Sequence, residues 1–414
     1  MGELDASRDT RHGLPVRLGT GHPPFTRFLV SRVLSTLAFH MQGVAVGWQV
    51  YALTGSAFHL GLVGLAQFLP MLLLTLLVGH AADRYDRRTI VSVCQLVQGG
   101  AAVLLAVGTP SVGRMLALIA VVGAARAFEN PTMSALWPSL VPRAMIPRGS
   151  AWAASATQTA QIVGPALGGL LYGLTSGAAY ATAAALYLTA GGLAALLPAV
   201  RAARALATAD SFFSGLAFIR GHRLLLGVLS LDLFAVLLGG VTALLPIYAR
   251  DILHTGPWGL GLLRAAPAVG ALAMSLALTR RPLERRVGRT LFGAVIVFGA
   301  AIVVFGVSTW LPLSLAALAL LGVADVVSVV IRFSLVQLQT PDDMRGRVSA
   351  AFSLFTGTSN QLGEFRAGLT AALLGVVPAA LLGGLGTIAI ALAWMALFPE
   401  LRRIRALDDP RARP

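Results

Sequence analysis

The chain has 414 residues, of which 56% are hydrophobic and only 12% charged, and its mean hydropathy is +0.78. That leaves too little polar surface to cover a water-soluble globule, so the composition is that of a polytopic membrane protein. The net charge of +15 reflects topology rather than a nucleic-acid surface, because every basic residue is an arginine and most lie in short loops between apolar stretches.

Taken in order, residues 1–24 form a polar tail with Arg8, Arg11 and Arg17 and without the apolar core of a secretory signal. Six apolar stretches follow, near 28–51, 59–78, 89–107, 115–137, 151–172 and 177–197, each long enough to cross a bilayer as a helix. A connector at 201–223 contains an amphipathic piece but has no room for a folded domain. Six more stretches lie near 224–248, 258–278, 291–307, 311–336, 348–374 and 378–398, and residues 399–414 are a second polar tail. The prediction is an all-α membrane protein of twelve transmembrane helices in two six-helix bundles, 25–200 and 224–398.

Arginine placement tests this threading independently of hydropathy. Arg32, Arg126, Arg264, Arg332 and Arg366 fall inside spans, and Arg114 and Arg250 fall in one set of loops. Every other arginine lies in the tails or in the alternate loops, which places both termini in the cytoplasm. An internal repeat supports two halves of like orientation. A shift of 199 residues lays Gly123-Ala124-Ala125-Arg126 on Gly322-Val323-Ala324-Asp325, and Gly164 and Gly169 on Gly363 and Gly368.

The turn from Gly79 to Arg88, GHAADRYDRR, resembles the loop between helices 2 and 3 of major facilitator transporters. It departs where the family usually has a second glycine and this chain has Asp86. From that resemblance Gly79, Asp83, Arg84, Arg87 and Arg88 are expected to form a cytoplasmic latch, with Asp83 near a helix N-terminus where its charge is favoured. Longer strings, including GWQVYALTGSAFHLGLVGLAQFLP, TPDDMRGRVSA and QLGEFRAGL, are similar to the enterobactin-exporter-like branch, which includes siderophore and macrolide exporters. The piece Gly164-Pro165-Ala166-Leu167-Gly168-Gly169 resembles part of the antiporter motif of exporters in the superfamily, with Ala160 replacing its upstream glycine. Gly164, Pro165, Gly168 and Gly169 are therefore expected to set close helix packing and a bend.

Charges inside spans are costly, about 2.5 to 3.5 kcal/mol each at a helix centre, so they are the functional candidates. Arg126 and Glu129 share a helix face and are candidates for an internal ion pair or for cavity groups. Asp325 occupies the repeat position of Arg126 and shares a face with Arg332. Asp232 lies too deep for its short side chain to reach water and, with Glu364, is expected to couple transport to protons; the alternative for Asp232 is a carboxylate held by a buried arginine. Arg366 is expected to reach a carboxylate such as Asp325. Arg32 and Arg264 lie near span ends and are expected to snorkel. His40, of a residue type that titrates near neutrality, is a cavity or packing residue, and Gln42, Gln49 and Gln67 are candidates to line a cavity.

The absence of lysine excludes a P-loop and a retinal Schiff base. Cys94 is the single cysteine, so disulfides and thiolate metal sites are excluded too. Neither H-E-x-x-H nor G-x-S-x-G occurs in a span, so no enzyme is expected. The reading that results needs no cofactor and no metal. It is a secondary transporter in the cell membrane, and proton-coupled export of an amphipathic small molecule by a monomer is preferred. Uptake or facilitated movement of a metabolite stands as the alternative, and a receptor or scaffold is more remote. The partners expected are substrate, proton gradient and lipid, not nucleic acid.

Overall fold

The computed structural model describes residues 23–109, 111–199, 209–281, 286–341 and 344–406. Among these the regular structure is helical, with no strand. Spans 1 to 6 are Pro23–Thr54, Ala57–Arg84, Arg87–Val107, Val112–Leu136, Ile146–Leu174 and Ser176–Ala195. A connector helix, Ala209–Gly221, leads to span 7, which begins as Arg223–Gly239 and continues through short 3-10, α and π turns to Ile252. Spans 8 to 12 are Pro257–Arg280, Val287–Val307, Leu311–Gln339, Arg345–Leu374 and Val376–Leu397.

Nine of these segments are apolar and long enough to cross a membrane by composition alone, among the described residues. Spans 4, 5 and 11 do not meet that standard. Polar side chains such as Arg126, Glu129, Gln158, Gln161, Gln361 and Glu364 lower their hydropathy, and these groups turn inward to cavities rather than to lipid.

Spans 1 to 6 pack as one bundle and spans 7 to 12 as another, joined through span 2 against span 11 and span 5 against span 8. Glycine permits both crossings. A Cβ on Gly368 would stand 2.6 Å from the Cα of Gly61, and one on Gly261 would stand 2.6 Å from the carbonyl oxygen of Pro165. The backbones therefore meet directly, as they do where small residues line membrane helix interfaces. Gly164 and Gly168 bring span 5 equally close to span 1 at His40 and Met41, and Gly169 meets span 8 at Gly261.

The same face is tied by side chains. Tyr51, at the end of span 1, donates a short hydrogen bond to Asp251 at the end of span 7, and the Arg250 guanidinium lies 5.6 Å from the Tyr51 ring centroid. The halves thus close on the side of the 1–2 and 7–8 loops.

The turn between spans 2 and 3 differs from expectation. Span 2 stays helical through Arg84, so Asp83 lies near a helix C-terminus. Only Tyr85 and Asp86 separate the two helices, and Asp86 is the N-cap of span 3, its Oδ1 accepting from the Arg88 amide at 3.0 Å. An extended cap residue with a short carboxylate satisfies an amide that the first helical turn leaves free. The departure from the family's glycine is therefore itself a capping device.

Candidate functional site

A cavity of about 640 Å³ lies between the two bundles. Span 1 contributes Phe39, His40 and Gln42, span 8 Arg264, span 10 Asp325, and span 11 Gln361 and Glu364. Val46, Val63, Ile119, Leu245 and Leu321 supply apolar wall. The mixture suits a molecule with an apolar body and a few polar groups. Pro165 also lines it, so the glycine-proline piece of span 5 serves both the helix contact and the wall.

Arg264 and Arg32, both expected to snorkel, lie against neighbouring helices. Arg264 spans the gap between halves to lie against Gly43 and Gly47 of span 1. Arg32 donates from Nε to the Thr157 hydroxyl at 3.2 Å, in a smaller polar pocket of about 200 Å³ within the first bundle. Both thus lie against protein polar groups or a cavity inside the helix packing.

Arg126 and Glu129 share that smaller pocket but do not pair. Glu129 is 2% exposed and accepts three neutral hydrogen bonds: Ser35 Oγ at 2.6 Å, Gln95 Nε2 at 2.9 Å and Gln98 Nε2 at 2.8 Å. Arg126 lies instead over the Phe39 ring, 3.7 Å from its centroid, with a weak contact to Asn130 at 3.5 Å. The amides and hydroxyl of spans 1 and 3 meet the demand of the buried carboxylate, which frees the guanidinium for a cation–π contact. Gln49 accepts from Tyr180 at 2.6 Å rather than facing the cavity, whereas Gln67 does line it.

In the second bundle Asp232 is held tightly. Arg332 donates a short, buried bond to Asp232 Oδ1, and Thr356 donates to Oδ2 at 3.0 Å. Arg332 also faces Asp325 at 3.9 Å, and Asp325 opens onto the cavity. Two carboxylates thus share one arginine. Arg366 does not reach Asp325. Its Nε donates to the Leu237 carbonyl at 3.0 Å and its Nη2 to that of Leu238. The helix of span 7 ends at Gly239, which leaves these carbonyls without helical donors.

The repeat carries a contact as well as a backbone. Thr157 and Thr356 are 199 residues apart; the first binds Arg32 of span 1 and the second Asp232 of span 7. One position thus holds a cation in one half and an anion in the other.

Of the expected latch, Gly79 and Asp83 have side-chain positions outside the described residues, and Arg84 is exposed. Arg87 donates to the Ala135 carbonyl at 2.9 Å, and Arg88 pairs with Asp86 at 3.1 Å and donates to the Leu197 carbonyl at 3.0 Å. These bonds brace the first bundle internally. Among the described residues no group of three or more His, Cys, Asp or Glu side chains is placed to hold a metal.

Sequence reasoning missed the Tyr51–Asp251 tie and the place of Gln361. The second had a signal, since Gln361 precedes Glu364 by three residues and so shares its helix face.

A family model described as transmembrane secretion effector matches residues 21–412. The enterobactin exporter of Citrobacter koseri is 27% identical over 402 residues, covering 93% of this chain and 94% of its own. That of Shigella boydii serotype 18 is 26% identical over 401 residues, with the same shares of 93% and 94%. Among solved structures, a peptide transporter POT superposes with TM-score 0.74 at 11% identity, over 94% of this chain and 97% of its own. A bacterial homologue of the human lysosomal transporter Spinster, inward-facing and occupied, gives 0.71 at 12% identity over 91% and 95%. At such identities these two show the fold.

Proposed function

Because the chain belongs to the transmembrane secretion effector family of major facilitator transporters, we propose that it exports an amphipathic small molecule by alternating access, driven by the proton gradient. The observation that carries this reading is the cavity between the bundles, walled by apolar side chains and a few convergent polar ones and closed at one face by contacts between the halves. Rocking of the bundles about such a site is the general way parallel-repeat transporters move substrate. Direction rests on the exporters that match over nearly the full length, since the fold alone serves several transport directions.

In this proposal the open side of the cavity faces the cytoplasm, with both termini there, a reading that the arginine-rich alternate loops support, and the chain acts as a monomer in the cell membrane. The cavity then loads from the cytoplasm and releases after the Tyr51–Asp251 face opens. In this scheme the loop around Asp83, Arg84, Arg87 and Arg88 becomes the latch of the opposite, outward-facing state.

For proton coupling the weight moves from Asp232 to Glu364. Asp232 has a guanidinium and a hydroxyl as fixed partners, whereas Glu364 lines the cavity and has Arg264 as its electrostatic neighbour. A carboxylate that alternately faces the two sides draws on about 2.3 kcal/mol per charge for each 100 mV. Asp232 then organises the second bundle and holds Arg332 beside Asp325.

The test is accumulation of a labelled panel of amphipathic compounds in cells with and without the protein, repeated with the proton gradient collapsed. Lower accumulation that depends on the gradient, and on Glu364 in a Glu364→Gln comparison, is expected. Higher accumulation in expressing cells replaces export by uptake, and export indifferent to the gradient removes proton coupling.

A further inference from the structure

The cavity holds polar groups that the protein itself leaves without partners. Arg264 makes no hydrogen bond to any described residue, and its Nε is buried and unpartnered. Its guanidinium lies along span 1, where a Cβ on Gly43 would stand 3.0 Å from Nη1 and one on Gly47 3.3 Å from Nη2. Both amide atoms of Gln42, a residue 2% exposed, lack partners, as does Oε1 of Gln361. All three residues line the same cavity. Buried polar groups are nearly always satisfied, so several left open along one cavity mark a place where something else supplies the bonds.

Charge and shape say what that is. The facing carboxylate, Glu364, acts on Arg264 electrostatically, yet the two form no ion pair within the 4.0 Å that defines one. Glu364 is set back against span 2, where a Cβ on Gly64 would meet it at 3.2 Å. Space therefore remains beside the guanidinium, and a guanidinium with free N–H groups is a fork for a carboxylate-like anion. We infer that Arg264, in the same cavity as Gln42 and Gln361, is a recognition site for an anionic oxygen group on the substrate, so that this transporter takes amphipathic acids in preference to neutral or cationic molecules of the same shape. The inference rests on the reading that the cavity is the transport site. Glycine at 43 and 47 is what lets the arginine lie flat against span 1 and present its edge to the cavity.

The experiment is equilibrium dialysis of the purified full-length protein against 1-naphthoate, 1-naphthamide and 1-naphthylmethylammonium, which share one ring system and differ in head-group charge. Wild-type protein binds naphthoate more tightly than the amide by about tenfold or more, the scale of a charge-assisted hydrogen bond. Arg264→Gln brings acid and amide within about twofold of each other, while Arg264→Lys keeps part of the preference because charge remains without the fork. Elution profile and thermal midpoint matched to wild type show that each variant is folded. Gly43→Ala, which keeps the charge but presses on Nη1, weakens naphthoate selectively. Equal binding of acid and amide by wild type, an acid preference that survives Arg264→Gln, or tightest binding of the ammonium probe overturns the inference. The same probes in proteoliposomes separate it from the export reading. Naphthoate binding that needs Arg264 without gradient-driven expulsion leaves the site and sinks export, and expulsion with no acid preference does the reverse.

Discussion

Replacing Arg332 with methionine removes one cation from between two carboxylates, and the structure says how the cost divides. The Arg332 and Asp232 side chains are 4% and 2% exposed, so Arg332→Met strands Asp232 in the bundle with Thr356 as its remaining donor. Breaking a buried pair from one side costs about 3 to 5 kcal/mol, because an uncompensated charge is left behind. Asp232→Asn is not the mirror image. It leaves Arg332 beside Asp325, already 3.9 Å away, so the guanidinium keeps a counter-charge and the loss falls to about 1 to 2 kcal/mol, that of a hydrogen bond. The double variant Asp232→Asn/Arg332→Met removes both charges and lies nearer wild type than Arg332→Met does. The assay is the temperature at which half of the detergent-solubilised protein stays monodisperse, a midpoint that ranks variants even when unfolding is irreversible. The expected order of stability is wild type, then the double variant and Asp232→Asn, with Arg332→Met well below. Equal losses in the two single variants would refute the idea that Asp325 stands in for Asp232.

Glu129→Ala leaves Ser35, Gln95 and Gln98 without their shared acceptor and is expected to cost about 2 to 4 kcal/mol, whereas Glu129→Gln costs less because an amide oxygen still accepts; the same thermal assay reads both. Tyr51→Phe removes the tie to Asp251 and is expected to shift the balance toward the state open at that face by about fivefold, the equivalent of one hydrogen bond, measured as interspin distances between labels on spans 1 and 7. Gly261→Val places a side chain 2.6 Å from the Pro165 carbonyl oxygen and is expected to prevent closure there, seen as loss of the short distance between spans 5 and 8; an unchanged distribution would mean the crossing is not what closes the face.

The all-α membrane fold was legible because it rests on compositional signals that extend over tens of residues. The loop at Gly79 to Arg88 was legible as a turn but not in its capping. Moving the helix boundary past Asp83 gave the N-cap to Asp86 instead, and a boundary shift of that size lies below what hydropathy resolves. The intramembrane charges were legible as important but not in their partners. Spacing along one helix placed Arg126 near Glu129 and Arg332 near Asp325, yet three neutral donors and a phenyl ring took the first pair apart. Asp232, one hundred residues from Arg332, supplied the stronger partner in the second. Burial supplies what sequence spacing lacks, since an inward-facing group takes whichever donor the neighbouring helix presents. Arg366 is the plainest case: it answers a break in another helix, and nothing in its own neighbourhood announces that break.

Span 7 is continuous hydrogen-bonded helix only as far as Gly239. Beyond it, Gly240 lies against the backbone of Gly363, where a Cβ would come within 2.6 Å, and the chain resumes in short turns that end at Asp251 and Ile252. The break at Gly239 to Val241 interrupts the helical bonding of span 7, with the Tyr51 contact near the far end of the outer piece and Arg366 bonded to a carbonyl just before the break. Amide exchange should mark the boundary as a step in protection between Leu238 and Val241, with the outer segment opening independently of the rest of the span.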